Sequence, residues 1–338
     1  MKAVLCEKLG GPSTLSIVDM PLGPPKEGEV KIGIKAAGIN FPDILMVAGK
    51  YQHKPELPFI PGFEVAGEIL EMGSASDEFH CGDTVMAHMR TGGYAEQCIA
   101  PLEKIRPLPE NFDFAQGAGF QVAYSTAYVS LVPRGNLEKG ETLLVHGAAG
   151  GVGLAAIQLG KALGAKVIAT VSSPKKVLAA KKNGADHVIL LKSSGFREEV
   201  KEITSGKGAD VIYDPVGGEI FDESLRCIAW GGRLLVVGFA DGRIPTAPAN
   251  RILIKGCSVV GVRAGEYARK DPGKGEKAFQ AILKLAKDGL LVPQIHSRLP
   301  LTQVAEAMDQ ISRREVIGKV VLTPCLKIVQ PLYQRQPL

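Results

Sequence analysis

Through its first 120 or so residues the chain runs in short segments where apolar and polar positions alternate, broken by Gly and Pro. Val30-Lys31-Ile32-Gly33-Ile34-Lys35 and Val65-Ala66-Gly67-Glu68-Ile69-Leu70 carry this pattern, with Gly23-Pro24-Pro25 and Pro61-Gly62 as turns. A period of two puts alternate side chains on opposite faces of a strand. The segment therefore predicts an antiparallel, barrel-like sheet with one buried face.

From about residue 125 the pattern changes to continuous apolar runs separated by helical stretches. Thr142-Leu143-Leu144-Val145-His146 reads as a buried strand, and a Gly-rich turn follows it. Leu154 to Leu163 reads as a helix stopped by Gly164, and Lys166 to Thr170 as a second strand. Val211-Ile212-Tyr213 and Arg233 to Val237 continue the series. Such strand–helix–strand repetition predicts a parallel sheet covered on both faces, the doubly wound architecture. The fold class is α/β. A barrel-type catalytic domain is expected over 1–124, a nucleotide domain over 125–258, a return to the catalytic domain over 259–324, and a poorly ordered tail over 325–338.

Composition narrows the function. Hydrophobic residues make up 45% and charged residues 22% of the 338, an ordinary globular mix. Gly is in excess at 40 residues, which points to tight turns and close approach of backbone to a ligand. The net charge is +5, with Lys and Arg spread along the chain. A nucleic-acid protein would concentrate them on one face, so nucleic acid is not the expected partner. A mildly basic surface still favours a polyanionic cofactor. Cys6, Cys81, Cys98, Cys227, Cys257 and Cys325 form no CxxC pair, so free thiols in a reducing compartment are expected. No signal-like leader opens the sequence and no apolar run is long enough to cross a bilayer, so the cytosol is the expected location.

The motif richest in chemistry is Gly147-Ala148-Ala149-Gly150-Gly151-Val152-Gly153, set between a strand and a helix. Loop N–H groups and a helix N-terminus there offer partial positive charge to a pyrophosphate. Gly150 lets backbone approach the phosphates, and Gly153 permits close helix–strand packing. Ala148 stands where the common GxGxxG form has a glycine. An NAD site would carry Asp or Glu some 20 residues on, at the end of the second strand. That region reads Thr170-Val171-Ser172-Ser173-Pro174-Lys175-Lys176, with no acid. Hydroxyls and ammonium groups suit a 2′-phosphate instead, so NADPH is the expected cofactor. Lys175 and Lys176 could also be plain solvated residues, although the first turn of a helix favours acids over bases.

With these residues, the chain resembles the medium-chain dehydrogenase/reductase superfamily, on its zinc-free quinone-oxidoreductase branch. The resemblance spans residues 1 to 323. It rests on Ala37-Gly38-Ile39-Asn40-Phe41-Pro42-Asp43, Pro61-Gly62-Phe63-Glu64-Val65-Ala66-Gly67, the nucleotide loop, Tyr213-Asp214-Pro215-Val216-Gly217-Gly218, and Gly318-Lys319-Val320-Val321-Leu322. It implies a GroES-like catalytic domain, a Rossmann domain and a homodimer. Zinc alcohol dehydrogenases look like Gly-His-Glu where this chain has Gly62-Phe63-Glu64, and Phe63 cannot bind a metal. No metal is expected.

Hydride transfer belongs to the nicotinamide, and the protein must position the acceptor and stabilise the charge that develops on it. By resemblance, Asn40 and Tyr51 line the acceptor pocket, where an amide N–H and a phenol O–H are candidate donors. Asn40 could equally cap a helix ahead of Pro42, Tyr51 could be a barrel aromatic, and Asp43 suits a structural role. The cofactor set is Thr126, Tyr128, Ala149, Gly150, Gly151, Val152, Gly153, Ser172, Ser173, Lys176, Gly238, Phe239, Val262, Arg263 and Lys319. Relatives often carry aromatics at Arg263-Ala264, and some a Tyr at Leu191; both departures weigh on acceptor and cofactor choice. The expected activity is reduction of a quinone, with an enone or enoyl double bond as the alternative acceptor. A cofactor-binding structural or RNA-binding role is the reading from another class.

Overall fold

The computed structural model describes residues 1–191 and 195–324, so the expected tail over 325–338 lies outside the described residues. The chain forms two compact units: residues 1–108 with 297–315 and 320–324, and residues 109–296 with 316–319.

The first unit contains β1 (Lys2–Cys6), β2 (Leu15–Asp19), β3 (Glu29–Gly38), α1 (Phe41–Val47), β4 (Glu64–Met72), β5 (Thr84–His88), β6 (Gln97–Pro101) and β7 (Ile105–Pro107). The period-two segments form its antiparallel sheet. β3 pairs with β4 from Val30↔Met72 to Gly38↔Glu64, and β4 pairs with β5 from Glu64↔His88 to Glu68↔Thr84. Val30, Ile32 and Ile34 are buried, as alternation requires.

The second unit runs α2 (Phe114–Ala118), α3 (Gln121–Val129), β8 (Thr142–Val145), α4 (Gly151–Ala162), β9 (Lys166–Val171), α5 (Pro174–Lys182), β10 (His187–Leu190), α6 (Arg197–Ile203), β11 (Ala209–Asp214), α7 (Gly218–Cys227), β12 (Ile228–Val236), α8 (Ala249–Lys255), β13 (Ser258–Gly261), α9 (Ala264–Lys270) and α10 (Pro272–Lys287). The chain then forms β14 (Ile295–Pro300), α11 (Val304–Ser312) and β15 (Lys319–Thr323); β15 pairs antiparallel with β3 in the first unit's sheet.

The six strands of the second unit lie in the order β10-β9-β8-β11-β12-β13, and every pair is parallel. Leu144, Ile168, Ile212 and Leu234, one from each inner strand, pack with Phe196, Phe221 and Leu225 in a single buried cluster. Strand order reverses between β8 and β11, the switch point where ligands bind outside the carboxyl ends of an open α/β sheet.

The expected α/β class is what the chain adopts, with a GroES-type antiparallel sheet and a doubly wound sheet. The second unit is wider than 125–258. The start of α3 and all of α10 belong to it as well, and Phe120, just ahead of α3, meets Phe279 of α10 edge-on with centroids 6.5 Å apart. These contacts between residues distant in sequence carry no local periodicity.

Candidate functional site

The carboxyl edge of the parallel sheet collects most of the residues expected to meet the nucleotide. Gly147–Gly153 follow β8, Ser172, Ser173 and Lys176 follow β9, Asp214–Gly218 end β11, Gly238 and Phe239 follow β12, and Val262 and Arg263 follow β13. Since the strands are parallel, all five turns leave at the same edge.

At the loop itself the glycines have separate reasons. A β-carbon on Gly153 would stand 2.3 Å from the Gly147 carbonyl oxygen, so α4 packs on the strand end only without a side chain there. A β-carbon on Gly150 would meet nothing nearer than 3.5 Å. Protein packing does not demand glycine at 150. Gly150 is the N-cap of α4, and no side chain caps it. The first-turn N–H groups thus keep their partial charge for an anion.

Lys319 lies across this turn. Gly318 donates its N–H to Ala149 O (2.8 Å) and Lys319 donates its own to Gln294 O (2.9 Å). A β-carbon on Gly151 would come 2.6 Å from Lys319 Cδ, which places the Lys stem over the first helical residue. Lys319 is buried.

At the end of β9, the backbone enters α5 through Ser173 and Pro174. Lys176 Nζ donates to Ser172 Oγ at 3.0 Å. No acid occurs in that first turn. At the switch point, Asp214 Oδ1 accepts the N–H groups of Val216 (2.8 Å) and Gly217 (2.9 Å). Burial pushes the Asp214 carboxyl up to about 6 against the pull of those two N–H groups. Phe239 is part-exposed above Gly217, where a β-carbon would approach its ring to 3.0 Å. Arg263 caps the start of α9 and reaches Glu266 at 3.7 Å. Thr126 and Tyr128 are half-buried on α3, and Thr126 Oγ1 donates to Val122 O (2.7 Å).

Two arrangements here escaped the sequence reading. The side chain of His146 is fully buried between Thr170 and Ser224. A relay also runs from Tyr124 Oη to Gln158 Oε1 (2.7 Å), from Gln158 Nε2 to Asn183 Oδ1 (2.6 Å), and from Asn183 Nδ2 to Gln294 Oε1 (2.9 Å). It braces α3, α4 and α5 against the segment that holds Lys319. The one sequence signal was a polar residue inside or beside an apolar run, such as His146 closing the β8 run.

Asn40 and Tyr51 belong to the first unit. Asn40 is the N-cap of α1, the capping role left open above, and Asp43 Oδ2 accepts its N–H at 2.9 Å. Asn40 Nδ2 donates to the buried carboxylate of Glu64 at 2.9 Å. Glu64 therefore fixes which end of the amide carries the donors. Asp43 Oδ1 accepts the Gly62 N–H (3.1 Å), in keeping with its structural role. Tyr51 stands edge-on to Phe63 with centroids 6.0 Å apart, and Phe63 stacks on His88 at 6.5 Å. Burial, with Asp43 and Glu64 adding to it, holds the Tyr94 phenol well above its usual range. Among the described residues no group of three or more His, Cys, Asp or Glu side chains could hold a metal ion.

An antiparallel unit joined to a doubly wound sheet with a glycine loop at its switch point defines the dehydrogenase class of two-domain proteins. Sequence models agree: the Alcohol dehydrogenase GroES-like domain matches residues 26–132 and the Zinc-binding dehydrogenase domain matches 151–287. The chain is 40% identical to the quinone oxidoreductase-like protein 2 homolog of Nematostella vectensis, covering 95% of this chain and 88% of that one. It is 34% identical to the quinone oxidoreductase of Homo sapiens, covering 95% and 97%. Among solved structures it is similar to the Escherichia coli quinone oxidoreductase complexed with NADPH, with TM-score 0.87, 31% identity, and 96% and 100% coverage. The chain belongs to the quinone-oxidoreductase branch of the medium-chain dehydrogenase/reductase superfamily.

Proposed function

We propose that the protein is an NADPH-dependent, metal-independent oxidoreductase that reduces a quinone. The observation that carries this reading is the carboxyl edge of the parallel sheet. An uncapped helix N-terminus, a glycine left bare at 150 and a hydroxyl–ammonium pair after β9 come together there without an acid. The similarity to NADPH-complexed and quinone-reducing relatives supports it.

These residues fit the cofactor. Ala149 to Gly153 would hold the pyrophosphate through backbone N–H groups, and Ser172, Ser173 and Lys176 the 2′-phosphate. Lys319 would cover the loop, while Gly238, Phe239, Val262, Arg263, Thr126 and Tyr128 would hold the nicotinamide end. Once bound, NADPH supplies the hydride. Tyr51 donates a hydrogen bond to the acceptor oxygen, and Asn40, its amide set by Glu64, lines the same pocket. Such donors contribute by meeting charge as it develops.

The protein acts as a homodimer. β13 is an edge strand of the parallel sheet, and Trp230 (79% exposed) and Leu253 (79%) place apolar surface beside it. Such an edge is a template for a second copy. No helix among the described residues is long and apolar enough to cross a membrane, and the isolated cysteines suit the cytosol.

The test is steady-state reduction of a benzoquinone and of an α,β-unsaturated ketone, each with NADPH and with NADH. Quinone turnover with NADPH at a kcat/KM well above the other three supports the reading. Preference for the ketone makes the protein a double-bond reductase instead, and no turnover with either acceptor removes the enzyme assignment.

A further inference from the structure

We infer that His146 is a positioning residue for the dinucleotide loop, a neutral imidazole locked in one tautomer between three elements. The inference rests on the nucleotide reading of that loop.

His146 is the residue between β8 and Gly147, and its N–H continues the sheet by donating to Tyr213 O at 3.0 Å. Its ring is inaccessible to solvent. Nδ1 lies 2.8 Å from Thr170 Oγ1 on β9, and Nε2 lies 2.8 Å from Ser224 Oγ on α7. Proton counting settles the tautomer. The single hydroxyl hydrogen of Ser224 goes to Ile220 O at 2.7 Å. Ser224 Oγ can then only accept from the ring, so Nε2 carries the proton. Nδ1 is left as an acceptor, and the Thr170 hydroxyl donates to it.

Burial depresses the imidazole pKa to about 3, so the ring stays neutral across the working range of the protein. Neutral and closed off from solvent, it has no part in proton transfer. Its effect passes through the backbone. Thr170 presents its hydroxyl to His146 and its carbonyl to Ala148 N–H at 3.3 Å, so one residue fastens both the ring and the loop that leaves it. Phe196 packs on the ring at 4.7 Å and closes off movement. Two neutral hydrogen bonds thus set where Gly147 begins, and with it the register of Ala149 to Gly153. Wrong placement would be paid for in cofactor affinity, since anion binding at backbone N–H groups depends on their direction.

The test measures NADPH affinity by thermal-shift titration and the kinetic constants separately, for Thr170→Val, Ser224→Ala and His146→Phe. Thr170→Val keeps the shape of the side chain and removes only the donor to Nδ1, so it reports even where His146→Phe does not fold. A rise on the order of tenfold in the NADPH Kd and KM is expected, consistent with one buried hydrogen bond lost. The quinone KM and kcat stay within about twofold. A 15N spectrum of histidine-labelled protein should show one ring protonated at Nε2 and unchanged between pH 5 and 8.

Variants that melt at lower temperature yet bind NADPH as the wild type does overturn the inference, because a purely structural residue would behave that way. So does a ring protonated at Nδ1. Wild-type protein that binds no NADPH overturns the nucleotide reading as well, which keeps the two failures distinguishable.

Discussion

The ammonium of Lys176 stands 3.0 Å from the hydroxyl of Ser172, closing the turn between β9 and α5 where an NAD-binding domain would present an acid. The pair offers a donor and a positive charge to a 2′-phosphate. Lys176→Glu replaces that charge with its opposite. The KM for NADPH should rise about 100-fold, the scale of a charge-assisted hydrogen bond lost. The KM for NADH, which has no phosphate to repel, should move about twofold or less. Equal shifts for both nucleotides would remove the 2′-phosphate from this turn.

Gly153→Val tests the loop. The added β-carbon would stand 2.3 Å from Gly147 O and 2.7 Å from Ala148 Cα, both backbone atoms that cannot step aside. Relief requires α4 to move away from β8. Overpacking of this kind costs on the order of 1–3 kcal/mol of stability. Binding of both nucleotides should be lost in a thermal-shift titration, and nucleotide binding that survives would place the pyrophosphate elsewhere.

The repeating part of this fold was readable because it repeats. Val30 to Lys35 and Val65 to Leu70 alternate and lie within β3 and β4, while the apolar runs Val167 to Ala169 and Val211 to Tyr213 lie within β9 and β11. The nucleotide residues were readable for a related reason: parallel strands deliver their turns to one edge, so position along the chain translates into position in space. Contacts between distant residues were not readable. Nothing local marks that Gln158 binds Asn183, that Ser224 faces His146, or that α10 packs on α3. Asn40 shows the limit from the other side. Its place before Pro42 announced a cap, but the carboxylate of Glu64, 24 residues on, is what orients its amide.

Two buried groups oppose each other in acid. His146 has its pKa lowered to about 3, so the unfolded chain binds its proton first and stability falls as pH drops from about 6.5 toward 3. Asp214 has its pKa raised from 3.8 to about 6, so the folded chain binds its proton first and stability gains between those values. Over the range they share the two slopes have opposite sign and cancel. Asp214→Asn keeps an oxygen for the Val216 and Gly217 N–H groups and removes only the titration. Its stability, measured by denaturant unfolding, should fall relative to wild type by up to about 1.4 kcal/mol per pH unit between pH 6 and 4. Parallel curves would mean that the Asp214 carboxyl is not raised as described, since His146 titrates alike in both proteins.

Tyr51 and Asn40 separate by what their loss disturbs. Tyr51 is half-buried beside Phe63, and under the proposed role as donor to the acceptor Tyr51→Phe should lower kcat on the order of 10- to 100-fold. The KM for NADPH and the melting temperature should hold. Asn40→Ala strips the α1 cap and leaves Glu64 without its amide partner, which should cost about 1–3 kcal/mol of stability. A stable Asn40→Ala protein with lost turnover would assign the amide to chemistry alone, and Tyr51→Phe with wild-type kcat would return Tyr51 to the barrel.

The exposed edge at β13 makes the last prediction. Trp230 rests beside the end of α8, where a β-carbon on Gly256 would lie 3.1 Å from its ring, and Leu253 projects from the same helix. α8 contains no buried residue in the single chain. An apolar helix face next to the outer edge of a sheet is costly in water, and covering each large side chain is worth about 1.5–3 kcal/mol. A second copy would cover both at once, since an isologous interface presents the same patch from each side. Sedimentation at micromolar concentration should give a dimer for the wild type. The double variant Trp230→Lys with Leu253→Lys should sediment as a monomer while still raising its melting temperature with NADPH, because the nucleotide residues come from one chain. A wild-type monomer would leave this face for a different partner, and a double variant that stays dimeric would put the interface on another surface.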